Sequence, residues 1–217
     1  MFWIATVRAT TAFAAETNTV SDAAYLSTIS QRAEKIVATL GLADVAKSNR
    51  VHGIIVQQYR DLRAIHDPRD ARIKSAKSQL GTSKEAIAAT KTAQDDARLK
   101  LDVLHSEYVA RLSAELSPEQ VDRVKDGMTY GVLPLTYGVY LKMYPVLTDE
   151  QKGKIKAWLI EAREVAMDGS TSDEKHAVFG KYKGRINNYL SAAGYDAKQA
   201  EQNLRKSNKT ESESTTK

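Results

Sequence analysis

Residues 147–165 read LTDEQKGKIKAWLIEAREV, and their spacing decides the fold class. Thr148 followed three residues later by Gln151 is a capping box, in which a hydroxyl and an amide side chain satisfy the first free N–H groups of a helix. Asp149 and Glu150 put negative charge at the positive end of the helix dipole. Behind this cap, Ile155, Trp158, Leu159, Ala162 and Val165 recur every three or four residues, which makes one face apolar at the α-helical period. The same device stands 31 residues upstream in Leu116-Ser117-Pro118-Glu119-Gln120. There Ser117 is the cap, Pro118 takes the first helical position and Gln120 closes the box.

Outward from these two starts the helical period continues. Leu26, Ile29, Ala33, Ile36 and Leu40 form one stripe, capped by Ser21 or Asp22 and ended by Gly41. A second helix runs from about Asp44, with Val51, Ile54, Ile55, Gln58 or Tyr59, Leu62 and Ile65 on its apolar side. His66-Asp67-Pro68 is expected to end it, because the residue before proline is pushed out of the α region. Residues 69–96 are rich in Lys, Ala, Ser, Thr and Gln, which predicts a loosely held helical arm broken at Gly81-Thr82-Ser83. Ala97, Leu101, Leu104, Tyr108 and Leu112 share the next face. After a turn at Gly169–Ser172, a last helix carries Phe179, Tyr182, Ile186, Tyr189 or Leu190, and Ala193, and Gly194 ends it. No strand pattern of useful length appears. The expected fold is all-α, a bundle of five to seven amphipathic helices forming one domain over residues 22–195. A polar, largely disordered tail is expected over residues 196–217.

One stretch departs from this regularity. Gly127–Pro145, GMTYGVLPLTYGVYLKMYP, holds four of the ten tyrosines, three glycines and two of the four prolines. Thr-Tyr-Gly-Val occurs in it twice, at Thr129–Val132 and Thr136–Val139. An irregular Tyr/Gly/Pro-rich segment is expected there, and places where local rules break are often functional.

Composition narrows the function classes. The chain has 217 residues, 42% of them hydrophobic and 27% charged, and a net charge of +5. Acidic and basic residues are interspersed, which reads as a solvated mixed-charge surface and not as a nucleic-acid footprint. The absence of cysteine excludes a disulfide framework and a thiolate zinc site. Met1–Val7 is apolar, and Ala12-Phe13-Ala14 has the small-x-small form of a signal-peptidase site. Residues 1–14 therefore read as a truncated signal peptide, interrupted by Arg8, and a periplasmic or secreted protein is expected. No other run approaches the roughly 20 apolar residues of a membrane-spanning helix.

No catalytic residue is assigned. His52, His66, His105 and His176 form no HExxH pair, and no metal or cofactor is expected. There is no GxSxG elbow, P-loop or dinucleotide fingerprint. The candidate ligand-binding residues fall in two groups. Tyr130, Tyr137 and Tyr140 could present ring faces to a sugar. Trp158 and Arg163, with Lys181, Arg185 and Asn188 on a polar stripe of the last helix, could supply directed hydrogen bonds. The same tyrosines equally suit the rim of a core, with rings buried and hydroxyls at the edge.

Four runs carry a resemblance: Arg32-Ala33-Glu34-Lys35-Ile36-Val37, Gln58-Tyr59-Arg60-Asp61-Leu62, Val124–Tyr130 and Lys181–Leu190. Over about Tyr25 to Tyr195 the chain resembles an uncharacterised, mostly secreted family from carbohydrate-degrading Gram-negative bacteria, loosely labelled as sugar-binding. Leu116–Gln120 and Leu147–Gln151 also look like the LTxxQ signature of small periplasmic helical stress chaperones. The expectation is a non-catalytic, exported protein that binds carbohydrate. The alternatives are a chaperone-like or scaffold protein binding another extracytoplasmic polypeptide, and an unrecognised enzyme acting on polysaccharide.

Overall fold

The computed structural model describes residues 9–215, with side chains over 22–209. Most of the expected signal segment 1–14 lies outside the described residues. Eight helices are present among those described: α1 (Ala9–Ala38), α2 (Val45–Leu80), α3 (Lys84–Glu115), α4 (Pro118–Met128), α5 (Val132–Met143), α6 (Asp149–Met167), α7 (Ser172–Ala192) and α8 (Ala197–Thr215). The class is all-α, and the count of eight exceeds the expected five to seven. None of these helices is long and apolar enough to cross a membrane.

The extra elements have physical causes. α2 does not stop at Pro68 but runs to Leu80. Its stripe continues through the proline, with Leu62 and His66 buried before it and Ala76 after it, while Pro68 itself is exposed. Packing on both sides outweighs the one lost backbone bond. The segment 69–96 is accordingly no loose arm. Gly81 turns the chain at φ 60°, Ser83 caps α3, and α3 returns along α2. Ala76, Ala86, Ala93 and Ala97 are all buried, so small side chains let the two helices lie close where large ones are missing. Arg72 reaches Asp96 across this hairpin at 2.8 Å.

Residues 127–145 are also more regular than expected. The irregularity is confined to Thr129–Gly131 and to the turn after Met143, with α5 between them. In the stretch read as a tail, Ala200 on α8 is buried, and Asn203 Nδ2 donates to the Met143 carbonyl at 3.0 Å. α8 packs on α5.

The buried side chains form two clusters. One joins α1, α2, α3 and α4 around Ile36, Ile55, Leu62, Tyr108, Leu112 and Val124. The other joins α5, α6, α7 and α8 around Tyr140, Leu159, Phe179, Ile186 and Leu190. α6 bridges them, since its Met167 belongs to the first and its Leu159 to the second. Gly127 permits the close approach of α4 to α1, because a Cβ there would stand 2.7 Å from Ile36 Cγ1.

Candidate functional site

The end of α4 builds the first candidate site. Its last turn closes as a Schellman motif. Gly131 N–H bonds the Asp126 carbonyl at 2.8 Å, and Tyr130 N–H bonds the Gly127 carbonyl at 3.3 Å. The left-handed position of this motif normally holds glycine. Here it holds Tyr130, at φ 58°, with Gly131 one place late at φ 67°. A side chain in the left-handed region costs about 1–2 kcal/mol. In return, the Tyr130 ring projects to the surface, 45% exposed, and lies nearly parallel to His176 with centroids 6.0 Å apart.

That ring borders a groove of about 540 Å³ between α1, α2 and α4. Tyr59 walls it, with burial pushing the phenol up to about 12. Arg32 and Lys35, one helical turn apart on α1, and Arg123 on α4 contribute positive charge. Arg32 and Lys35 make no ion pair among the described residues, and Arg123 donates to the Thr39 carbonyl at 3.3 Å. The groove's one carboxylate, Asp126, already accepts from Arg163 at 2.9 Å. The groove thus combines exposed aromatic surface with unneutralised positive charge.

A second feature lies at the end of α6. A cleft of about 670 Å³ opens between α2, α3, α6 and α7. His105 Nδ1 meets Asp168 Oδ2 at 2.8 Å, and its Nε2 meets Glu164 Oε2 at 3.4 Å. Hydrogen bonds to Asp168 and Glu164 push the imidazole up to about 9, against the opposing effect of burial. Burial works against the Glu164 carboxylate, but His105, Lys125 at 2.6 Å and Arg163 together hold it down at about 2. Burial raises the Asp168 carboxyl despite the imidazolium beside it. His105 is thus an imidazolium clamped between two carboxylates, a poor arrangement for a general base at neutral pH. Beside it, Lys175 donates to the Met128 carbonyl at 2.9 Å and the Met167 carbonyl at 3.4 Å, tying the ends of α4 and α6 together. Burial lowers this ammonium to about 8. Among the described residues, no three His, Cys, Asp or Glu side chains gather so as to hold a metal ion.

The residues singled out from sequence are scattered over these features. Tyr130 borders the groove. Tyr140 is in the second core, its hydroxyl bonded to Asn187 Oδ1 at 2.8 Å, and Tyr137 packs against the same core. Trp158 and Arg185 do come together, the guanidinium 4.5 Å above the indole ring. Tyr189 meets Trp158 edge-on, and Lys154 covers the Tyr189 ring at 4.6 Å. Those rings face cations of the chain itself, and Trp158 is buried. Arg163 is 4% exposed, held by Asp122 at 2.5 Å and Asp126 at 2.9 Å between α4 and α6. Lys181 lines the cleft, and Asn188 is exposed on α7. Sequence reasoning missed Arg32, Lys35 and Arg123 in the groove, and His66, His105, Glu164 and Asp168 in the cleft. Only the 3-residue spacing of Arg32 and Lys35 was a local signal.

An all-α bundle with a tyrosine groove bordered by cations and a separate histidine–carboxylate cleft is the class these features define. The chain belongs to the DUF3826 family, described as a protein of unknown function, whose profile matches residues 26–210. No curated protein matches the sequence.

Proposed function

We propose that this protein binds acidic carbohydrate, without acting on it chemically, in the groove beside Tyr130, and that it does so outside the cytoplasm. The observation that carries this reading is the placement of Tyr130. A tyrosine occupies the backbone position where glycine would cost least, and its ring stands exposed beside Arg32, Lys35 and Arg123. Strain of this kind persists where the surrounding structure or a function maintains it. A ring face stacks on the apolar face of a pyranose, and guanidinium and ammonium groups pair with uronate or sulfate oxygens. The cations select an acidic glycan over a neutral one.

The test is a glycan array of neutral, uronate-containing and sulfated chains, followed by calorimetry on Tyr130→Gly and on the double variant Arg32→Ala/Lys35→Ala. Acidic chains should bind, and more weakly as salt rises. Tyr130→Gly should abolish binding with little loss of stability. Relief of the left-handed residue, worth about 1 kcal/mol, offsets the lost ring contact with His176 and the added freedom of the unfolded chain. A parent protein that binds no acidic glycan overturns the reading. So does a Tyr130→Gly variant that keeps full affinity. Fractionation of the native host tests the location, and recovery in the cytoplasm contradicts it.

A further inference from the structure

The α2–α3 hairpin runs on past the cores that its inner half helps to build. Neither core draws a side chain from residues 66–100. Among the described residues, no hydrogen bond or ion pair joins 70–100 to a helix other than α2 and α3. The last such tie on α2 is Arg69, whose guanidinium reaches Glu174 on α7 at 2.8 Å. Beyond it α2 continues from Asp70 to Leu80, about 16 Å of helix at 1.5 Å per residue. The side chains buried along this outer part are alanines, Ala76, Ala86, Ala93 and Ala97. They bury too little apolar surface for the projection to be explained as core.

The end of the hairpin has a distinct chemistry. Leu80 closes α2 and is 45% exposed, and Ile87, in the first turn of α3, is 65% exposed. These two aliphatic side chains flank the turn at Gly81–Ser83. Cations surround them. From Arg72 to Lys91 the sequence holds five cations and one carboxylate, Glu85. Arg72 pairs with Asp96 and Lys91 with Asp95. Lys74, Lys77 and Lys84 are exposed and make no ion pair among the described residues.

Exposed aliphatic carbon at the very end, with unpaired ammonium groups around it, complements a surface that is anionic on its face and apolar beneath. An anionic lipid bilayer has that layering. A folded acidic protein fits less well. Two helices about 10 Å across end in a face of about 200 Å², against roughly 800 Å² from each partner of a stable protein interface. A bilayer needs no preformed shape to receive a convex end.

We propose that the tip of the α2–α3 hairpin docks end-on to an anionic lipid surface. Leu80 and Ile87 enter the acyl boundary, and Lys74, Lys77 and Lys84 pair with the anionic headgroups. The chain is held at the membrane without crossing it. The tip shares no residue with the Tyr130 groove, so this inference is independent of the function proposed above.

The experiment is co-sedimentation of the full chain with vesicles of phosphatidylglycerol mixed into phosphatidylcholine, against vesicles of phosphatidylcholine alone. The protein should sediment with the anionic vesicles, much less with the neutral ones, and less as salt rises. Each lysine near an anionic surface is worth about fivefold in partitioning, so Lys77→Ala/Lys84→Ala should weaken binding about 25-fold. Leu80→Ser/Ile87→Ser should weaken it about tenfold or more. All four side chains are exposed, so both variants should melt with the parent. A parent protein that stays in the supernatant with anionic vesicles overturns the proposal, as does equal sedimentation with the two lipids. Tip variants that sediment like the parent overturn it too. So does binding lost in Arg32→Ala/Lys35→Ala and kept in the tip variants, which would place the contact at the groove. Binding to soluble polyglutamate with none to anionic vesicles would make the partner an acidic polypeptide and overturn the lipid assignment.

Discussion

Gln58 shows how far a single position can depart from its sequence reading. It falls on the apolar stripe of α2 and is wholly buried, yet neither its Oε1 nor its Nε2 has a partner. A buried amide without hydrogen bonds costs about 1–3 kcal/mol on protein mutational scales. Methionine has nearly the same shape without the polar atoms. Gln58→Met should therefore raise stability by about 1–2 kcal/mol, read as an upward shift of the urea midpoint at constant slope. A lowered midpoint would mean that the amide is satisfied in solution. The same scale explains which candidate residues were legible. Tyr130, Tyr137 and Tyr140 share one composition and one heptad-like spacing, so sequence could not rank them. What separates them is the Schellman turn, which leaves Tyr130 exposed while Tyr140 reaches Asn187 across to α7. Arg163 was equally opaque, because its partners Asp122 and Asp126 lie about forty positions away on another helix.

Helix starts were the most legible elements because their signals are local. Both capping boxes, Ser117 with Gln120 and Thr148 with Gln151, are present as read. Helix ends were harder, because tertiary contacts override them. Pro68 is the clearest case: its local steric rule predicts a stop, and the packing of Leu62, His66 and Ala76 carries α2 through it. The rule still has an energetic trace. Proline within a helix forfeits one backbone bond and crowds the preceding turn. Because Pro68 is exposed, Pro68→Ala should restore that bond without disturbing the core, and should stabilise the protein by about 1–2 kcal/mol after allowing for the greater freedom alanine gives the unfolded chain. Thermal unfolding tests this, and a fall in melting temperature would show that the proline ring is needed where it stands. The cleft between elements was not legible at all. His66 and Asp168 are 102 residues apart, and Arg69 and Glu174 are 105 apart. No period or motif links such positions.

At the scale of the whole molecule, the two cores meet at α6 and the start of α7, where ionisable groups are buried with opposite consequences for stability. His105 is raised from 6.5 to about 9 by Asp168 and Glu164. Its charged form is favoured by folding, so its contribution is complete below pH 6.5 and is lost as pH rises to 9. Because the side chain is 24% exposed to solvent, screening leaves about 1–2 kcal/mol of this. Lys175 is lowered from 10.5 to about 8 by burial. Folding disfavours its charged form, so a penalty of about 3 kcal/mol is present below pH 8 and lifts as pH climbs toward 10.5. Glu164 is held at about 2, so its contribution is present above pH 4.5 and disappears on acidification toward 2. Stability should therefore rise from pH 2 to 4.5, decline from 6.5 to 8, stay level from 8 to 9 where the two effects offset, and recover between 9 and 10. Above pH 10 the phenols of the partly buried Tyr59 and the buried Tyr140, both near 12, reverse the trend, because their neutral forms are the ones folding favours. Urea midpoints measured across this range test the profile. His105→Gln should flatten the decline above pH 6.5, and Lys175→Met should extend the decline to pH 9 and remove the recovery above it. A parent protein with constant stability from pH 6.5 to 10, or a His105→Gln variant that keeps the full decline, would show that the junction does not govern the alkaline behaviour of the fold.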